Sequence, residues 1–134
     1  MTLVIGGTGK TGRRVAERLW DAGGVVRLGH RGSEPMFDWN EALTWSDALA
    51  GATAAYVTYH PDLLLPEAAG RVGAFAREAV AAGVRRLVLL SGRGEDGAVN
   101  AEDALKASGA DWTVIRASWF MQNFSEGAFA PALA

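Results

Sequence analysis

Short apolar runs and amphipathic runs alternate along this chain. "TLVIG" (2–6) is apolar on both faces, as a central parallel strand is. "KTGRRVAERLWDAGG" (10–24) follows with helical spacing, predicting Val15, Leu19 and Trp20 against a sheet and a stop at Gly23 or Gly24. A second strand is predicted at "VVRLGHR" (25–31), a short third at "PMFDW" (35–39), and a helix closed by Gly51 at "NEALTWSDALAG" (40–51). "ATAAYVTY" (52–59) reads as the fourth strand, and residues 63–84 contain a long helix beginning near Pro66. "RRLVLLSG" (85–92) is a buried fifth strand, "NAEDALKASGA" (100–110) a helix and "DWTVIRAS" (111–118) a sixth strand. Strands alternating with helices predict βαβ units with right-handed crossovers, hence an α/β fold with a doubly wound parallel sheet.

Composition narrows the function classes. The 134 residues suit one domain, 1–134, able to bury roughly two-thirds of its unfolded surface. Thirteen Lys and Arg against fifteen Asp and Glu leave a net charge of −2, which gives no electrostatic reason to expect nucleic acid. With no cysteine, disulfides and thiol chemistry are excluded, and His30 and His60 alone do not make a zinc site. No apolar run reaches the roughly 18 residues of a membrane span, and "MTL" leads straight into a strand, so the expected compartment is the cytosol and no membrane partner is expected.

The chemistry concentrates in "VIGGTGKTG" (4–12). Read from "GKT" it resembles the end of a P-loop, but that motif needs a glycine where Val4 stands. It also needs a strand ending in Asp to hold magnesium, which no later strand offers without an intervening proline. Read from its glycines it fits a dinucleotide loop twice over: Gly7, Gly9 and Gly12 give G-x-G-x-x-G, and Gly6, Gly9 and Gly12 give G-x-x-G-x-x-G. The first glycine makes the turn, Gly9 admits the pyrophosphate, and Gly12 lets the helix pack on the sheet. Thr8, Lys10 and Thr11 complete the loop, with the helix N-terminus facing the phosphates. An NAD site usually carries an acid about 20 residues on, at the end of the second strand. Here that stretch is "LGHRGS", with no acid. Arg31 can fork onto a 2′-phosphate, with Lys10 and Ser33 beside it, so NADP is expected over NAD.

"GGTGKTGRRVAERL", "FDWNEALTWSDALAGATAAYVTYHPD", "AAGVRRLVLLSGRG" and "AEDALKASGADWTVIRASWFMQNF" together resemble the NmrA-like branch of the atypical short-chain dehydrogenase/reductases, over essentially the whole chain. Within it, "FDW…TW…AL.G" and "WTVIRASWFMQNF" look most similar to bacterial proteins grouped with ergot-alkaloid dehydrogenases of the festuclavine or agroclavine type. The resemblance implies an NADP-binding Rossmann domain of strand order 3-2-1-4-5-6, followed by a seventh strand and a small substrate region. It also implies one of two roles: hydride transfer to a C=O, C=N or quinone small-molecule substrate, or redox sensing with a partner protein. The sequence ends at "EGAFAPALA", where members of that branch continue. The expectation is therefore a Rossmann domain without the C-terminal substrate lobe, its sheet edge open to self-association.

No Tyr-x-x-x-Lys pair is present. Ser91 ends the fifth strand, where the resemblance implies a cofactor-lining serine; a plain turn serine before Gly92 is the alternative. Tyr59, on the same rim, is a candidate proton donor or a residue packing over the cofactor or the strand end, and Thr58 a candidate ribose contact. Asp38 and Trp39 fall near where adenine lies in such a fold. Trp119, Phe120 and Asn123 would edge the substrate cleft by the same resemblance. Glu102 and Asp103 invite a general-acid reading, but Asn100 looks like an N-cap with acids in the following turn. Lys106 is expected in solvent.

Overall fold

The structure is a computed structural model, describing residues 1–6, 9–60, 62–92 and 96–117. The elements run β1 (Thr2–Ile5), α1 (Lys10–Asp21), β2 (Val26–Gly29), a 3-10 turn (Ala42–Thr44) leading into α2 (Trp45–Leu49), β3 (Ala54–Val57), α3 (Ala68–Ala81), β4 (Arg86–Gly92), α4 (Asp96–Lys106) and β5 (Asp111–Ala117). All five strands are parallel, in the order β2-β1-β3-β4-β5. This is the doubly wound Rossmann order that the family resemblance implied, less its third strand.

Residues 35–39 form no strand. Phe37 and Trp39 alternate with Asp38 as strand residues would, but their rings leave the chain for the core instead of extending the sheet edge. The Phe37 N–H bonds back to the His30 carbonyl (2.9 Å), and the Trp39 indole donates to the Thr58 carbonyl (3.0 Å). Phe37, Trp39, Trp45 and Phe75 then pack edge to face or stacked, with centroids 5.2 to 6.4 Å apart. Arg27 reaches across from β2 and donates to the carbonyls of Asp47, Ala48 and Ala50, closing the C-terminal end of α2.

The core lies in two layers. On one face of the sheet Leu3, Ile5, Val57, Leu87 and Leu89 meet α2, α3 and α4. Gly73 of α3 has no Cβ because one would stand 3.1 Å from the Ala104 methyl, so these two helices pack closely. On the other face Val4 and Tyr56 meet α1 through Gly12, Val15, Ala16 and Leu19, a stripe of period three and four. Trp20 is outside that stripe and is 47% exposed, so it does not face the sheet as expected. Gly23, at φ +83°, ends α1; its own N–H returns to Trp20 and that of Gly24 to Leu19.

Helix α4 begins at Asp96, a turn earlier than the sequence suggested. Asn100 is therefore inside the helix and is not its cap. The buried stripe of α4 is Ala98, Ala101, Glu102 and Leu105, so a carboxylate stands among its apolar positions.

Candidate functional site

The C-terminal ends of the parallel strands carry both candidate groups. At β1 the chain turns through Gly6 at φ +72°, where a Cβ would lie 2.7 Å from Thr58 Oγ1; only glycine fits there without strain. Thr58 is fixed in turn by donating to the Ile5 carbonyl (3.1 Å). The Gly9 N–H closes the turn onto the Gly6 carbonyl (2.8 Å), and Gly9 is the residue that opens α1. That N-terminus has no side-chain cap and no acid in its first turn, which instead carries Lys10 and Arg13. The first N–H groups of α1 have no acceptor within the helix and point out of its end. Thr11 is engaged with the Tyr56 hydroxyl, and burial of that ring pushes the phenol above its usual range.

The Gly6 N–H donates to the Gly29 carbonyl (2.8 Å), bringing the loop and the end of β2 side by side. Beyond Gly29 the chain folds into a tight turn. His30 N–H donates to Ser33 Oγ (3.0 Å), and Gly32 N–H donates to His30 Nδ1 (3.1 Å). Ser33 Oγ stands 2.8 Å from both the His30 and Pro35 carbonyls, so its hydroxyl serves the turn. Arg31 projects from that turn, exposed, and makes no hydrogen bond or ion pair among the described residues. The Asp38 carboxylate accepts from the Asn40 N–H (2.9 Å), closing a local turn.

Tyr59 is buried in the aromatic layer, 5.0 Å from Trp39, and its hydroxyl accepts from Arg71 (3.2 Å), which also holds Asn40 (2.7 Å). Its ring packs at the strand end, and its hydroxyl oxygen is held by Arg71. Neither tyrosine presents an unengaged hydroxyl.

At the other end of the sheet the structure assembles a group that the sequence did not suggest. Ser91 and Arg116 are register partners near the ends of β4 and β5, and both side chains meet Glu102 of α4. Ser91 Oγ lies 2.6 Å from Glu102 Oε2. Arg116 donates from Nη2 to Oε1 at 2.6 Å and from Nε at 3.2 Å to both oxygens. Glu102 is 1% exposed and Ser91 4%, while the Arg116 side chain remains 52% exposed. The Arg116 guanidinium holds the Glu102 carboxyl below the usual carboxylate range, with help from Ser91 and Lys106 and against the effect of burial. The ion pair raises Arg116 in return. Lys106 is not in open solvent: its ammonium stands 4.5 Å over the Trp112 ring. The signals for this group were the acidic residue in an apolar helical stripe and the arginine inside "TVIRA".

Gly7, Thr8, Trp119, Phe120 and Asn123 lie outside the described residues. No trio of His, Cys, Asp or Glu positioned for a metal occurs among the described residues, and no helix there is long and apolar enough to cross a membrane.

The fold and the glycine turn define a Rossmann-type nucleotide-binding architecture. The comparisons with known proteins agree. The sequence is 33% identical to the uncharacterized oxidoreductase YesF of Bacillus subtilis over 132 residues, covering 91% of this chain and 46% of YesF. It is 32% identical to agroclavine dehydrogenase of Claviceps fusiformis over 138 residues, covering 92% of this chain and 48% of that protein. The fold matches the NADPH-dependent quinone oxidoreductase of Escherichia coli, solved with NADPH, at a TM-score of 0.76 and 21% identity, covering 98% of this chain and 53% of that one. No family model matches the sequence. The chain thus spans about half the length of the curated relatives it matches. Its resemblance to the NmrA-like atypical short-chain dehydrogenase/reductases holds in sequence and in fold.

Proposed function

We propose that this chain binds NADP(H) and forms the cofactor-binding part of an oxidoreductase that reduces a C=O, C=N or quinone group. The observation that carries the reading is the uncapped, acid-free start of α1, bearing Lys10 and Arg13 and opening directly from the Gly6 turn. These are the features a diphosphate needs: free N–H groups, a positive dipole end and a backbone that no Cβ obstructs. Gly6, Gly7, Thr8, Gly9, Lys10, Thr11 and Gly12 are assigned to the pyrophosphate, Arg31 to the 2′-phosphate, Asp38 to the adenine side and Thr58 to the ribose. Ser33 supports Arg31 through the turn it closes. The relatives named for oxidoreductase and dehydrogenase activity, and the NADPH-bound neighbour, support the same class of chemistry.

Bound NADPH would supply the hydride. The described side chains would bind and orient: the sequence carries no Tyr-x-x-x-Lys pair to pass a proton to the substrate. That observation also favours a second reading, a redox sensor that binds NADP(H), turns nothing over and signals to a partner protein. The two separate in one assay, the loss of NADPH absorbance with a panel of quinones and cyclic imines. Steady consumption with any member supports the oxidoreductase, and saturable NADPH binding without consumption supports the sensor.

A further inference from the structure

We propose that Glu102, fixed by Arg116, is a positioning residue that holds the Ser91 hydroxyl proton toward itself, so that Ser91 meets the dinucleotide as a hydrogen-bond acceptor and receives an N–H of the nicotinamide carboxamide. This rests on the NADP(H) reading above. An ionised carboxylate only accepts hydrogen bonds, so across the 2.6 Å contact between Ser91 Oγ and Glu102 Oε2 the serine must donate. A hydroxyl has one proton, and this one is committed to a short, charge-assisted bond roughly twice as strong as a neutral one. Arg116 keeps the carboxylate ionised through Nε and Nη2. What remains on Ser91 is lone pairs. It can therefore neither protonate nor donate to a carbonyl oxygen, and whatever faces it must bring an N–H or O–H.

Position selects the partner. On that reading, Arg31 and the glycine turn would hold the adenosine half over β2 and the pyrophosphate over β1, the strands that the Gly6–Gly29 bond ties together. The other half then extends over β3 toward β4, two strand spacings or about 10 Å away, where Ser91 stands next to last in its strand. The N–H group at that end of the dinucleotide is the carboxamide.

The test compares NADP⁺ with its 3-acetylpyridine analogue, in which a methyl replaces the carboxamide NH₂, by tryptophan fluorescence titration. The wild type should bind NADP⁺ about tenfold more tightly, the worth of one good hydrogen bond. Ser91→Ala, which leaves the ion pair in place, should bring the two within about twofold, independently of any change at Glu102. Glu102→Gln puts an amide N–H against Ser91 Oγ and turns the serine proton outward, where it can donate to the acetyl carbonyl. That variant should bind the analogue about fivefold more tightly than the wild type does, a gain that lost packing would not produce. Equal affinities in the wild type, or wild-type discrimination retained in Ser91→Ala or Glu102→Gln, would overturn the proposal while leaving the cofactor reading intact. Absence of binding by either dinucleotide would overturn the cofactor reading, and this proposal with it.

Discussion

The two ends of the strand rim are built on different principles. The β1–α1 end is made of backbone: a glycine at φ +72°, a helix start with no side-chain cap, and the Gly6 N–H bonded to the Gly29 carbonyl of β2. The β4–α4–β5 end is made of side chains, a serine, a glutamate and an arginine from three elements, interlocked at 2.6 Å on either side of one carboxylate. The first is set by steric exclusion and the second by charge. They should therefore fail differently when perturbed: the first through substitutions that add a Cβ, the second through pH and charge.

The largest effect is expected at the backbone end. Gly6→Val places a β-branched residue at φ +72° and a Cβ 2.7 Å from Thr58 Oγ1. It should cost about 3 kcal/mol, read from urea midpoints, and abolish NADP(H) binding. Next is Arg116→Met, which leaves the Glu102 carboxylate buried with Ser91 as its described hydrogen-bond partner. Because Arg116 is half exposed, about 2 kcal/mol is expected, less than the roughly 3–5 of a fully buried pair. Adding Glu102→Gln to Arg116→Met should recover part of that loss, whereas it should recover nothing in Gly6→Val.

A smaller effect separates the two regions by pH. Arg116 depresses the Glu102 carboxyl in the folded chain, so between its folded and unfolded values the unfolded chain binds more protons. The stabilisation is then complete above the usual carboxylate value near about 4.3 and is lost as pH falls through the depressed folded value. The difference in urea midpoint between the wild type and Glu102→Gln should be flat from pH 7 to about 5 and shrink below that. The Gly6 variant should show no such convergence. The smallest effect is Trp20→Gln, expected within about 0.5 kcal/mol because the indole is 47% exposed and outside the α1 stripe.

This contrast also explains what could be read from the sequence. The glycine loop was legible because its parts are adjacent in the chain and glycine spacing reports backbone geometry directly. The succession of strands and helices followed from alternating apolar runs for the same local reason, the strand order came only with the family resemblance, and Gly23 and Gly51 marked helix ends through their positive φ. Residues 35–39 misled because an alternating Phe37 and Trp39 looks the same whether a sheet edge or an aromatic core receives the rings. Glu102 misled because "NAEDALK" imitates a capped helix start, while the true start is a turn earlier beside Gly97. Ser91, Glu102 and Arg116 lie 11 and 14 residues apart, and only the tertiary fold brings them together.

The central claim, a dinucleotide site selective for NADP(H) at the glycine-loop end, is tested most directly by calorimetric titration of the wild type and Arg31→Ala with NADPH and NADH. The account predicts that the wild type binds NADPH at least about tenfold more tightly than NADH, and that Arg31→Ala loses most of this preference while retaining NADH affinity. Equal binding of the two dinucleotides by the wild type, or an undiminished NADPH preference in Arg31→Ala, would contradict it.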